Sequence, residues 1–372
     1  MSRAPDAVVV GGGVVGAAVA WSLARAGLAV TLLERGALAG EASAVAAGML
    51  APLAESEDDG PLRRAGLASL ARFAALAAEL RERTGIDVEL VESGCLRVPA
   101  DDAEAAVLRR AAARDAALGV SYLAAREVER LAPGLAEGLA AHGALFSARE
   151  AHVRSPLLAR ALAAGAASLG TKLESGVAVR GLLRDGARVR GVETSAGPRP
   201  ADCVVLCPGS AAAECAAWLG PGARLPVEPV RGQILALEPP AGAVPPCLLW
   251  GRDAYLVPRR DGTLAVGATV ERAGFDARVT AEGVATLLAA ARALVPALAD
   301  ARFVSAAAGL RPDTPDHLPL VGAWPGLDGL ALATGHYRNG VLLAPLTGEW
   351  VADALLGKGW AEPAFDPARF AR

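Results

Sequence analysis

Residues 6–36 read DAVVVGGGVVGAAVAWSLARAGLAVTLLERG, and few stretches leave a chain so little choice of fold. The apolar runs Ala7–Val10 and Ala29–Leu33 suit central strands of a parallel sheet, buried on both faces. Gly11, Gly13 and Gly16 sit where the first run hands over to a helix, and Gly27 stops that helix. Glu34 closes the second strand, 18 residues past Gly16. Such glycines permit a tight turn, close approach of a pyrophosphate and close helix–strand packing. The helix N-terminus attracts negative charge, and an acid at the end of the second strand binds ribose hydroxyls. The combination predicts a dinucleotide site. The acid argues against a 2′-phosphate and hence against NADP, and leaves NAD and FAD both open. Ala7–Ala24 approaches the length of a membrane span. Yet Gly11, Gly12, Gly13 and Gly16 interrupt it, Asp6 precedes it and no small-residue cleavage site follows. No membrane segment is expected.

With 372 residues, 53% of them hydrophobic and 21% charged, the chain can build two domains around large cores. A net charge of −3 gives no electrostatic reason to expect nucleic acid or an anionic membrane as partner. Of the 37 basic residues only Lys172 and Lys358 are lysine, so any single arginine needs a local argument. Cys95, Cys203, Cys207, Cys215 and Cys247 are odd in number and lack CxxC spacing. A disulfide framework or zinc site is not expected, and a reducing cytoplasm is the natural compartment. The four histidines, His142, His152, His317 and His336, form no metal cluster or Ser/His/Asp set by spacing.

Further along, Pro61–Thr84 has a helical pattern, VELVESGCLRVP reads as short strands around Ser93–Gly94, and a helix is expected over Asp102–Leu118. Ser155 is expected to cap a helix with Pro156 in its first turn. A hairpin turns at Asp185–Gly186, and ADCVVLCPG ends a buried strand. Antiparallel strands fill LPVEPVRGQILALE to GTLAVGATVE, and a helix covers Ala281–Leu294. Parallel βαβ signals thus lie at the start, middle and end, with antiparallel blocks between them. The expected fold is α/β, α+β overall: a Rossmann-like nucleotide domain from 1–84, 150–222 and 312–372, with an antiparallel-sheet substrate domain inserted as 85–149 and 223–311.

Five ordered segments, GEASAVAAGMLAP, GQILAL, AYLVPRRDGTLAVGATVE, AGLRPDTPDHLPLVG and TGHYRNGVLLAPLTG, resemble the FAD-dependent D-amino-acid oxidase and glycine oxidase family. The resemblance runs from about Ala7 to Lys358, and its AAGML, GLRP and GHYRNG elements look most like the branch that feeds thiazole synthesis for thiamine. It implies FAD as cofactor, a small amino acid or amine as substrate and O2 as electron acceptor. A homo-oligomer is compatible with it. By the same resemblance the flavin lies against the N-terminus of a last helix beginning near Gly340, whose positive end favours reduction. Pro345 is expected within about the first turn of that helix. Substrate contacts are implied at Arg311, as carboxylate clamp, at Arg338 and at Tyr255. FAD contacts are implied at Gly11, Gly13, Val14, Val15, Gly16, Glu34, Arg35, Ala42, Ser43, Ala47, Gly48, Met49 and Val179. They continue at His336, Tyr337, Arg338, Asn339, Gly340, Val341 and Leu342. No side chain is assigned the chemical step, since flavin N5 accepts the hydride. Glu55 is a further polar pocket candidate, and Asp253 and Val270 are expected to line the pocket. Related sarcosine oxidases tether flavin through a cysteine near GLRP. Ala306–Ala308 offers no thiol, so the FAD is expected to be non-covalent. The expected activity is oxidative deamination of glycine, sarcosine or D-alanine to the 2-oxo acid, ammonia and H2O2. The alternative is a D-amino-acid or sarcosine dehydrogenase that passes electrons to a quinone or carrier.

Overall fold

Ala7–Val10 forms the middle of a six-stranded sheet in the computed structural model, which describes residues 6–55, 59–360 and 362–371. Residues 1–5, 56–58, 361 and 372, which fall inside the expected nucleotide segments, lie outside the described residues. Across the sheet the strands run Leu320–Ala323, Leu330–Thr334, Cys203–Leu206, Ala7–Val10, Val30–Glu34 and Lys172–Ser175. All pairings are parallel except the first, and Val8 registers with Val204 on one side and Thr31 on the other. Ala7, Val8 and Val9 are wholly buried, as expected for a strand covered on both faces. Three helices, Val14–Arg25, Ser155–Ser168 and Gly340–Leu355, pack on one face around Trp21, Leu23, Leu162 and Leu346.

The second sheet has eight strands: Arg302–Asp313, Glu228–Glu238, Leu264–Gly267, Tyr255–Pro258, Leu248–Trp250, Cys95–Arg97, Ala144–Ser147 and Val120–Leu123. It is antiparallel except between Leu248–Trp250 and Cys95–Arg97. The Ala281–Leu294 helix covers it through Leu287, Ala291 and Leu294, which meet Leu235, Leu256 and Val266. Arg302–Asp313 runs across the 311/312 boundary drawn from the sequence. A two-stranded pairing of Met49–Leu50 with Ala151–His152 and a three-stranded sheet built on the Val179–Asp185 hairpin complete the strands.

Several local expectations shift. The helical pattern over Pro61–Thr84 divides into Pro61–Leu70 and Phe73–Thr84. The break falls where the Ser69 hydroxyl donates to the Leu342 carbonyl at 2.6 Å and Arg72 Nε donates to Glu349 at 2.5 Å, so tertiary bonds to the last helix outcompete helical continuity. Around Ser93–Gly94 only Cys95–Arg97 is a strand, with a single bridge from Val91 to His152. The expected Asp102–Leu118 helix ends at Arg114 and closes with a 3-10 turn, Ala116–Leu118. Arg154, not Ser155, occupies the cap position of the Ser155–Ser168 helix. The Ser155 hydroxyl instead donates to the Ser43 carbonyl at 2.9 Å, tying the helix to the short Ala42–Val45 turn. Pro345 lies one turn deeper than expected in Gly340–Leu355, where it removes the N–H that would pair with the Val341 carbonyl.

Candidate active site

The turn at Gly11 and the turn before Gly340 end strands of the same parallel sheet, and both open onto one cavity of about 280 Å³. This lies beyond the carboxyl ends of the strands, where open α/β sheets bind ligands. The cavity is lined by Gly11, Gly13, Val14, Val15 and Gly16, by Glu34 and Arg35, and by Ala42, Ser43, Ala47, Gly48 and Met49. Val179, His336, Tyr337, Arg338, Gly340 and Val341 line it too. Asn339 and Leu342 do not. Asn339 sits at the helix cap, its carbonyl accepting from Leu343 N–H at 2.8 Å, and Leu342 turns into the core at 3% exposure.

Local chemistry shapes the nucleotide end. A Cβ on Gly16 would lie 1.9 Å from the Gly11 carbonyl oxygen, so only glycine allows the helix this close to the turn. Ser43 Oγ accepts from Val14 N–H at 2.9 Å and thereby caps the first helix from a loop 29 residues away. Val15 and Gly16 follow at the mouth. Glu34 accepts from Gly12 N–H through Oε2 and from Gly36 N–H through Oε1, each at 2.7 Å, and a carboxylate retains capacity for further donors. Arg35 donates to Glu41 at 2.7 Å at the rim.

At the other end the antiparallel sheet supplies Arg311 and Tyr255. Arg311 Nη1 donates to the Thr269 carbonyl at 3.0 Å, and the guanidinium lines the cavity beside the Tyr255 hydroxyl. A Cβ on Gly232, on the neighbouring strand, would lie 2.2 Å from that Nη1, so glycine is what lets the guanidinium cross. Tyr255 packs edge-on against Trp250 at 5.9 Å, and the Arg338 guanidinium lies 5.6 Å from the same indole. Burial pushes the Tyr255 hydroxyl up, while Arg311 and Arg338 pull against it. Glu55 faces the same niche, with its Oε2 4.0 Å from Arg338 Nε. Burial raises its pKa, opposed by Arg338 and then Arg311. His336 hydrogen-bonds Thr347 at 3.0 Å and is pushed down to about 3 by burial, so its imidazole is neutral. Tyr337 adopts φ +46°, and its ring stacks on His317 at 5.4 Å.

The same cavity draws on residues that the sequence reading passed over: Cys207, Pro208, Gly209, Glu214 and Trp218 from the middle segment, and Gly232, Ile234 and Gly309 from the antiparallel sheet. The CPG run after a buried strand was the available signal, because a third parallel strand ends its turn beside the first two. Asp253 and Val270 do not line the cavity. Both are exposed, Val270 at 58%, because Asp253 lies just before the Tyr255–Pro258 strand and Val270 just beyond the Leu264–Gly267 strand. Among the described residues no cluster of His, Cys, Asp and Glu could hold a metal ion, and no helix is long and apolar enough to cross a membrane.

The lining suits a flavin dinucleotide. It carries an acid for ribose, two helix N-termini for negative charge and a cationic, partly aromatic niche at its far end. Comparisons with known proteins agree. Residues 6–354 match the family model DAO, described as FAD dependent oxidoreductase. Glycine oxidase of Geobacillus kaustophilus is 39% identical over 373 residues, covering 100% of this chain and 97% of that protein. The crystal structure of glycine oxidase from Geobacillus kaustophilus superposes with a TM-score of 0.92 at 38% identity, covering 98% of each chain. A bifunctional ThiO/ThiG protein of Nostoc is 37% identical over 94% of this chain, which spans 52% of that longer protein. Sequence, cavity and relatives converge: the chain belongs to the DAO family of FAD-dependent oxidoreductases, alongside the glycine oxidases.

Proposed function

We propose that this oxidoreductase is an FAD-dependent glycine oxidase acting on glycine, sarcosine and D-alanine, in the cytoplasm, with thiazole synthesis for thiamine as the outlet for its product. The observation that carries the reading is the niche of Arg311, Arg338 and Tyr255 at the end of a cavity reached by both glycine-turn helices. A guanidinium fork holds a carboxylate through two parallel charge-assisted hydrogen bonds, and the Arg311 guanidinium faces the cavity beside the Tyr255 hydroxyl. Tyr255 adds a phenol, and Arg338, beside Trp250 and Glu55, bounds the space left for the amine and side chain. The bound flavin supplies a two-electron acceptor for the hydride leaving the substrate Cα, and O2 takes those electrons on to H2O2. The amine is left as an imine, which water hydrolyses to the 2-oxo acid and ammonia, or to the 2-oxo acid and methylamine when sarcosine is the substrate. With Arg311 fixing the carboxylate, this chain's contribution is orientation.

The cofactor contacts in this reading are the residues named from the sequence, from Gly11 to Val179 and from His336 to Leu342, with the FAD held non-covalently. Asn339 and Leu342 act from behind the lining. The discontinuous FAD domain (1–84, 150–222 and 312–372) and the substrate domain (85–149 and 223–311) are proposed on the same basis. Support comes from the strands of the six-stranded sheet, which all fall in the first set. The test is oxygen consumption with glycine, sarcosine and D-alanine, beside anaerobic bleaching of the flavin absorbance. Bleaching together with H2O2 release is the expected result. Bleaching without oxygen consumption, and with reduction of a quinone dye, would establish the dehydrogenase reading instead.

A further inference from the structure

Behind the niche the chain buries a carboxylic acid that none of the roles above uses. Glu150, between the Ala144–Ser147 and Ala151–His152 strands, has no solvent exposure. Its Oε1 accepts hydrogen bonds from Leu53 N–H and Ala54 N–H, each at 2.7 Å, across almost a hundred residues of sequence. Both donors belong to one short helical turn, Pro52–Glu55, whose last residue faces the cavity. A single turn is far below the length at which a helix holds itself together. Here every backbone N–H of the turn is accounted for: Pro52 has none, Leu53 and Ala54 are taken by Glu150, and Glu55 N–H donates to the Ala51 carbonyl at 3.0 Å. Arg97 grips the turn from its other end, donating to the Ala54 carbonyl at 2.9 Å. Glu150 Oε2 has no hydrogen-bond partner among the described residues, and the Cys95 thiol lies beside it. A buried acid kept half unsatisfied is costly, so its place under this turn calls for a reason.

We infer that Glu150 is a positioning residue for substrate selection: by anchoring the Pro52–Glu55 turn it holds Glu55 against Arg338, so that the niche offers one free cationic fork rather than two. The inference rests on the amine-oxidase reading of the cavity. A substrate with one carboxylate uses Arg311, while Glu55, 4.0 Å from Arg338 Nε, offsets the second positive charge. If the turn drifts, Arg338 becomes available to a second carboxylate on the amine nitrogen. Sarcosine and iminodiacetate form the informative pair, since both are N-substituted glycines and only iminodiacetate carries that second charge. Burial pushes Glu150 up to about 8, against the pull of its two N–H donors, so the acid is mostly neutral near pH 7. Glutamine, a neutral isostere with one acceptor oxygen, can therefore take over its task.

The experiment compares the holoenzyme with Glu150→Ala, Glu150→Gln, Glu55→Gln and the double variant Glu150→Ala/Glu55→Gln. The readout is the kcat/KM ratio of iminodiacetate to sarcosine. Unpairing an Arg at about 4 Å in a partly buried site should move that ratio about tenfold or more in Glu150→Ala, while Glu150→Gln restores it. The double variant should match Glu55→Gln alone, because both changes release the same contact. An equal loss for the two substrates would make Glu150 merely structural. Additive effects in the double variant, or a ratio untouched by Glu55→Gln, would also overturn the inference. If Glu150→Ala does not retain flavin, Glu150→Met fills the same space without an acceptor and carries the same expectation. If neither amine is oxidised by the unaltered enzyme, the proposed activity fails. The ratio of their dissociation constants, read from perturbation of flavin absorbance, then still decides the role of Glu150.

Discussion

Arg311 illustrates how much a single side chain depends on what its neighbour lacks. The missing side chain at Gly232 opens the path, and the Thr269 carbonyl takes one N–H so that the fork keeps its aim. Lysine at position 311 would carry the same charge without two parallel donors, so Arg311→Lys should lower kcat/KM for glycine at least about tenfold. Arg311→Met, losing charge-assisted bonds worth about 1.5–3 kcal/mol each, should lower it at least about a hundredfold, chiefly through KM. Steady-state oxygen consumption gives both values, and kinetics unchanged in either variant would remove Arg311 from the carboxylate contact. Such a residue is hard to find in a chain this rich in arginine. Its charge is common here, and only the GLRP context singled it out. Glu150 and His152 were harder still, for no local pattern announces that a polar residue will be buried.

At the scale of elements, what was legible in the sequence is what local geometry dictates. Gly11 to Gly16 and the Ala281–Leu294 helix stand where the sequence put them, since turn chemistry and periodicity act over a few residues. The 61–84 break and the Ser155 hydroxyl were not legible, because their causes, Leu342 and Ser43, are remote in sequence. The loop through Ala47 and Gly48 has a comparable remote support. Arg259, at the end of the Tyr255–Pro258 strand, donates to the Ala47 carbonyl at 2.6 Å and to the Val153 carbonyl at 3.1 Å. Burial, then Arg154, pushes its pKa down to about 10, still high enough to keep it charged. Replacing it with methionine leaves two buried carbonyls short of donors, at about 1–3 kcal/mol apiece. Arg259→Met should therefore release flavin on dilution at least about tenfold more readily, measured by recovery of flavin fluorescence. Unaltered retention would show that the loop holds itself.

For the molecule as a whole, three buried groups set opposite slopes of stability against pH. His152 is pushed down to about 4, first by burial and then by Arg259 and Arg260, and His336 to about 3. Both stay neutral in the fold while the unfolded chain takes up protons below about 6.5, so their contribution falls as the solution is acidified. Glu150 works the other way. It keeps its proton up to about 8 in the fold, whereas the unfolded carboxyl ionises above 4.5, so stability drops as pH rises between those values. Each group contributes about 1.4 kcal/mol per pH unit within its window. These three together place the optimum near pH 6.5. Urea midpoints of the holoenzyme at pH 5, 6.5 and 8 should peak at the middle value, and Glu150→Gln should abolish the alkaline decline. A decline that persists in the variant would assign it to another group.

The six-stranded sheet has a consequence for how the protein is made. Its central strand, Ala7–Val10, pairs with Cys203–Leu206, which in turn waits for Leu330–Thr334. Pairings so far apart are slow to form and leave strand edges open meanwhile. While it is still being translated, the nascent chain therefore carries the first glycine turn without the final helix that faces it. Coenzyme capture therefore waits for the last helix to be made, and a shortage of flavin at that point would leave the two glycine turns facing each other across an unfilled cavity.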